Sequence, residues 1–299
     1  MPPSPHSARR HPGRPTALAT VCALGASALL AACGSERHIT DPTPGNGGPL
    51  ASLGTSPQLG KLVSINADTV PCRTTGLRIG TRTARVVAVG TRSVIVADTA
   101  NPANGFTAAD YENFATAFDN LVYPVDTRHF GTPSDIDGNG RVVIFFTTAV
   151  NAMTPARANF VVGGFFFNRD LFPTTGTANA EACAGSNQGE LFYMLAPDPS
   201  GTVNGNVRTV ASVQQSTVGI LGHEFQHLIN AGRRMYVLNT RNFDEDVWLN
   251  EGLSHVAEEL NFYQAGGLSP AGEPGQSPRA ELTAAALRQS TARIDALNG

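Results

Sequence analysis

At 299 residues, 41% of them hydrophobic, the chain has enough apolar content for one large globular domain or two small ones, and it is not a disordered protein. Its 21 basic and 24 acidic side chains leave a net charge of −3, which gives no support to nucleic-acid binding. Arg9, Arg10 and Arg14 precede the apolar run "ALATVCALGASALLAA", which stops at Cys33. A cationic start, a short apolar core and small residues before a cut form the layout of an export signal, and the run is short for a membrane span.

The "LAAC" that closes the run, followed by Gly34 and Ser35, resembles the bacterial lipobox. That resemblance implies removal of residues 1–32 and a lipid on the Cys33 thiol, and it places the mature protein in a bacterial cell envelope, anchored to a membrane on its extracytoplasmic side. Loss of the three arginines and of no acid takes the 21 basic residues to 18 against 24 acidic ones, a net charge of −6. Cys22 leaves with the signal, so Cys72 and Cys183 remain; an exported compartment permits a disulfide between them, the other reading being two buried thiols. Residues 33–57, rich in Gly, Pro, Ser and Thr, read as a flexible tether, and residues 58–299 as the folded domain.

Within that domain, "ARVVAVGTRSVIVAD" predicts a β-hairpin turning at Gly90, Thr91 and Arg92. "FTAADYENFATAFDNLVYPV" predicts a helix with Thr107 as N-cap, Asp110 three residues on, and an end at Pro124. Three apolar segments follow as strands, "RVVIFFTT", "NFVVGGFFF" and "GELFYMLA". Two long helices come next, about 208–230 and 247–263, the second with Trp248, Leu249, Leu253, Val256 and Leu260 as its buried stripe. Sheet first and helices afterwards is an α+β order rather than alternating βαβ. "RAELTAAALRQSTARIDALNG" reads as a weak last helix, as though the natural C-terminus lay further on.

The first long helix carries "HEFQH". His223 and His227 differ by about 40° in azimuth, so both imidazoles reach one ion from the same face. Zinc suits neutral imidazole, and a catalytic site takes three protein ligands and leaves a position for water. Zinc lowers the pKa of that water, and Glu224, beside the first histidine, is placed to take its proton. Val218, Ile220, Leu221, Phe225, Leu228 and Ile229 keep the surroundings apolar, so these polar groups buried without a partner would cost several kcal/mol. A metal removes the conflict.

A histidine third ligand of the metzincin pattern is excluded, because Asn230 and Arg233 stand where that pattern has glycine and histidine. "DVWLNEGLS" instead offers Glu251 on the second helix; Asp244, Glu245 and Asp246 precede it and suit a helix N-terminus better. HEFQH followed by WLNEGLS resembles the Glu-zincin metallopeptidases, in which such a second helix supplies the third zinc ligand. Together with "DIDGNGRVVIFF" upstream, the resemblance narrows to the hyicolysin-type neutral metallopeptidases and covers about Tyr123 to Glu259. It implies a zincin fold, a twisted mixed β-sheet above the active-site helix with a helical C-terminal subdomain, and hydrolysis of peptide or protein substrates; the expected oligomeric state is a monomer. It also implies an aspartate four residues after the ligand glutamate to orient the first histidine, but His255 stands there. Support then has to come from elsewhere, with Glu258 and Glu259 in range. His255, Tyr236 and Tyr263 are the candidate oxyanion donors. In zincins the sheet's edge strand pairs with extended substrate, a place "GELFYMLA" is able to fill if it is not a core strand.

Asp135, Asp137 and Asn139 alternate, with Gly140 sixth, as in the first half of an EF-hand loop, but Phe146 occupies the twelfth position. The stretch is either an incomplete calcium site or an Asx–Gly turn entering a strand. Three functions fit the sequence as a whole: a lipid-anchored zinc endopeptidase, a zinc hydrolase of another bond, or a surface-binding lipoprotein with a structural or degenerate site.

Overall fold

The computed structural model describes residues 48–69, 80–175, 182–239 and 245–267, all within the unit Ile39–Gly299. The signal, Cys33, Cys72, Asp244 and the last helical stretch lie outside the described residues. The expected tether ends earlier than residue 57, because Pro49–Leu53 forms a 3₁₀ turn whose Leu50 and Leu53 are buried in the core.

The core is a six-stranded mixed sheet in the order β1 (Leu62–Asn66), β2 (Thr81–Val89), β3 (Ser93–Asp98), β4 (Val142–Thr147), β6 (Leu191–Leu195) and β5 (Gly164–Phe166). The predicted hairpin is β2 and β3, antiparallel, with a register shift between Val86 and Ala88. β4 shows why the centre has no polar face: Val143 and Phe145 enter one apolar cluster, and Val142, Ile144 and Phe146 the other. Strands buried on both sides read as unbroken apolar runs.

β3, β4 and β6 are parallel neighbours. Parallel pairing needs a long crossover, and α1 (Ala108–Ala117) with α2 (Tyr123–Phe130) supplies one between β3 and β4. A second crossover, between β4 and β6, contains the short helix α3 (Thr148–Ala152) and β5; the class is α+β with helices inside the sheet's connections as well as after it. Thr107 and Asp110 form the predicted capping box at α1. Pro124 does not end the helix as expected. A π-helical turn at Phe118–Val122, where the Tyr123 amide donates to the Phe118 carbonyl, leads into α2 with proline in its first turn. Proline lacks an amide proton, and the first turn of a helix is where that loss does least harm.

"NFVVGGFFF" contributes only the three residues of β5, which pairs antiparallel with β6 and forms one edge of the sheet, β1 being the other. β6, the segment expected as a possible edge, lies between β4 and β5.

α4 (Val210–Gly232), capped by Thr209, and α5 (Val247–Gly266) match the two predicted long helices. The inward face of α5 departs from expectation: Ser254, Ala257, Asn261 and Phe262 are buried, whereas Trp248 is 74% and Val256 46% exposed. Small residues face α4 because the two helices meet closely. A Cβ added to Gly222 would lie 2.6 Å from Asn261 Nδ2. Asn261 Nδ2 in turn donates to Asp126 Oδ1 at 2.8 Å, joining α5 to α2, and burial raises the Asp126 carboxyl well above its ordinary range.

Gly222→Ala therefore destabilises the fold, by about 1–3 kcal/mol as overpacking does. Gly219→Ala, whose Cβ would meet nothing closer than 3.9 Å, is neutral or slightly stabilising, since alanine is the better helix former. Denaturant unfolding of both variants measures the contrast.

Candidate metal centre

Three side chains from two helices converge where α4 crosses α5. His223 and His227 lie one turn apart on α4 with ring centroids 4.8 Å apart, and α5 brings Glu251 to them. Glu251 Oε2 is 3.3 Å from His223 Nε2 and 3.7 Å from His227 Nε2. The edges of a tetrahedral zinc site, with ligands at about 2.0–2.2 Å, run to about 3.3–3.6 Å. The donor atoms are thus spaced as ligands around one ion, and they are the two imidazoles and one carboxylate predicted from the sequence.

Electrostatics agree with the spacing. Burial pushes the His227 pKa down to about 4, with His223 adding to the fall and Glu251 opposing it, so the ring is the neutral form a metal takes. His227 Nδ1 is buried with no hydrogen-bond partner among the described residues, although Asn250 lies near enough to act on its charge. Burial also opposes charge on His223, but Glu258 above all, with Glu224 and Glu251, outweighs it and raises the value.

Glu224 is 5% exposed and faces β5. Burial pushes its carboxyl up to about 8, with His223 and the Phe166 amide pulling the other way. The edge strand reaches it because Gly164 has no side chain: a Cβ there would lie 3.0 Å from Glu224 Cγ and 2.9 Å from the Tyr193 carbonyl.

Of the remaining sequence candidates, Tyr236 donates its hydroxyl to the Leu171 carbonyl, away from the two histidines. Tyr263 lies three turns beyond Glu251 on α5, roughly 18 Å along the axis. His255 is half exposed and packs its ring 5.1 Å from that of His223. Glu245 accepts from Arg234 at 2.6 Å, and Asp246 stands at the α5 N-cap. Cys183 is fully buried, and its expected partner Cys72 lies outside the described residues.

The Asp135–Asn139 segment folds largely upon itself. Asp137 accepts from the Asn139 side chain and backbone, Asp135 accepts from the Gly140 amide at 3.0 Å, and Asn139 Oδ1 accepts from the Arg141 amide. Asn139 is absent from the acidic group formed here; its third member beside Asp135 and Asp137 is Glu190, immediately before β6. Sequence reading passed over Glu190 because it sits 53 residues after Asp137 in an apolar strand segment. The structure lends calcium no support, and these turn hydrogen bonds account for the alternation of residues.

No protein-family model matches the chain. It is 28% identical over 157 residues to the neutral metalloprotease ShpI of Staphylococcus hyicus. The match covers 52% of this chain and 32% of that protein, so the chain spans about a third of its relative's length.

Burial, with the nearby Asp137 charge adding, pushes the Glu190 carboxyl up from 4.5 to about 8. A raised folded-state value stabilises fully below the unfolded value and is lost as pH rises through the folded one. In chelator, the protein therefore loses stability between about pH 5 and 9, and Glu190→Gln flattens that loss. Melting temperature against pH for the two proteins reads the difference, which is a gain for the variant at pH 9 and little change at pH 5.

Proposed function

We propose that the protein is a zinc-dependent endopeptidase, exported and held at a bacterial membrane by lipid on Cys33, with a disulfide between Cys72 and Cys183. The observation that carries the activity is the set of donor atoms of His223, His227 and Glu251, spaced as tetrahedral ligands with Glu224 buried alongside. The similarity to a neutral metalloprotease supports the same reading.

Zinc, when bound, supplies a Lewis acid for the scissile carbonyl and lowers the pKa of water. Glu224 takes a proton from the attacking water as its oxygen bonds to the carbonyl carbon. The carboxyl then delivers that proton to the departing nitrogen as the C–N bond breaks, leaving an amine and a carboxylic acid that keeps the water's second proton until it ionises. Burial, with the Glu251 and Glu258 charges adding, pushes the Glu224 carboxyl up to about 8, and a cation bound beside it would draw that value back down, toward the range in which a carboxylate accepts a proton and then returns it.

β5 is the strand on which a substrate would be seated. As an edge strand it has an open side, and an extended peptide added there would be held by main-chain hydrogen bonds beside Glu224, which already takes the Phe166 amide. Recognition through the backbone tolerates many side chains.

Metal content and casein hydrolysis of the purified protein and of Glu224→Gln test the reading. Both bind about one zinc, and the variant loses activity by a factor of about 10²–10⁴. A variant as active as wild type contradicts the role of Glu224. A zinc-loaded wild type that cleaves no peptide returns the site to a structural or binding role.

A further inference from the structure

His223 has two ring nitrogens and the site uses one. Nε2 faces Glu251, and Nδ1 points the other way, to Glu258 Oε1 at 2.5 Å. The same Glu258 oxygen lies 3.1 Å from His255 Nδ1. His223, His255 and Glu258 thus cluster closely enough to suggest a second metal position. The 2.5 Å separation argues against one, because two ligands of a single zinc ion stand about 3.3 Å apart. A nitrogen and a carboxylate oxygen this close share a proton in a hydrogen bond rather than an ion.

We propose that Glu258 is the positioning residue for His223, one carboxylate oxygen accepting the Nδ1 protons of both His223 and His255. This inference rests on the metal-centre reading above. A neutral imidazole carries one proton, so binding it at Nδ1 leaves Nε2 as the unprotonated nitrogen that a metal takes; Ser254 Oγ lies 3.2 Å from Nε2 and donates its own proton to the Glu251 carbonyl at 2.7 Å. Glu258 follows Glu251 by seven residues, two turns along the same face of α5, so one helix supplies both a ligand and the group that orients another ligand. His255, one turn before Glu258 on α5, closes the arrangement by holding Glu258 from the solvent side: it is 49% exposed and Glu258 15%. His227 has no such carboxylate, its Nδ1 being partnerless among the described residues. Orientation by charge is therefore confined to the first histidine.

Zinc affinity by chelator competition, with the melting temperature of the metal-free protein measured alongside, tests the proposal. Glu258→Ala weakens zinc binding about 10- to 100-fold. Glu258→Gln, which keeps an acceptor oxygen but no charge, falls between the two. Glu259→Ala, one residue on and pointing elsewhere, binds as wild type does. Position 255 also faces His223, so adding His255→Asp to Glu258→Ala returns a carboxylate to Nδ1 and recovers most of the lost affinity. Nitrogen NMR of the metal-free protein shows the His223 proton on Nδ1 in wild type and loses that signature in Glu258→Ala. If Glu258→Ala binds zinc as tightly as wild type, or loses affinity that His255→Asp does not restore, the positioning role is wrong while the metal centre stands. If wild type itself binds no zinc, the metal-centre reading falls and this inference with it.

Discussion

Burial of a polar face on α4 is the constraint around which the other elements are arranged. His223, Glu224 and His227 sit on a helix whose neighbours Leu221, Phe225, Leu228 and Ile229 are fully buried under the sheet. Desolvating such groups without partners costs several kcal/mol, so each must find compensation from elements packed beside it. α5 supplies it with Glu251 and Glu258, and β5 supplies a backbone amide to Glu224. Small residues make the approach possible: Gly222 admits Asn261 from α5, and Gly164 admits β5 over Glu224. Charge and steric fit are thus solved together, and a change in either helix spacing or edge-strand backbone moves the donor atoms.

The sheet contributes position rather than chemistry. Its parallel centre, buried on both faces, is a rigid platform, and its edge is a three-residue strand flanked by Gly163 and beginning at Gly164. A short edge strand limits unwanted pairing with other chains while leaving room for one extended segment beside Glu224. The sheet thus ends, on the β5 side, beside the buried carboxyl.

What could be read from the sequence was what depends on local spacing. The i, i+4 histidines, the Thr107 cap, the Gly90–Arg92 hairpin and the extents of α4 and α5 all follow from short-range periodicity, and the structure has them. What was missed depends on neighbours distant in sequence. Trp248 and Val256 were assigned inward on apolar character, but a close helix pair selects Ser254 and Ala257 at the contact. β5 emerged as the edge because topology, not the strength of a strand signal, decides which strand is last. Pro124 was read as a stop, and a π turn before it absorbs the lost hydrogen bond. Glu190 was invisible because nothing near it in the chain hints at Asp135 and Asp137. At the site itself, Glu251 was found from its motif and rigid helix, whereas Glu258 was one of two carboxylates in range until the fold set it against His223.

The most direct measurement is anomalous scattering at the zinc absorption edge from crystals of the zinc-loaded protein. The account predicts one strong peak between α4 and α5, about 2.0–2.2 Å from His223 Nε2, His227 Nε2 and a Glu251 oxygen, with Glu224 outside the coordination sphere. A peak ligated by Glu224, or by His255 and Glu258 in place of His227 and Glu251, would contradict it.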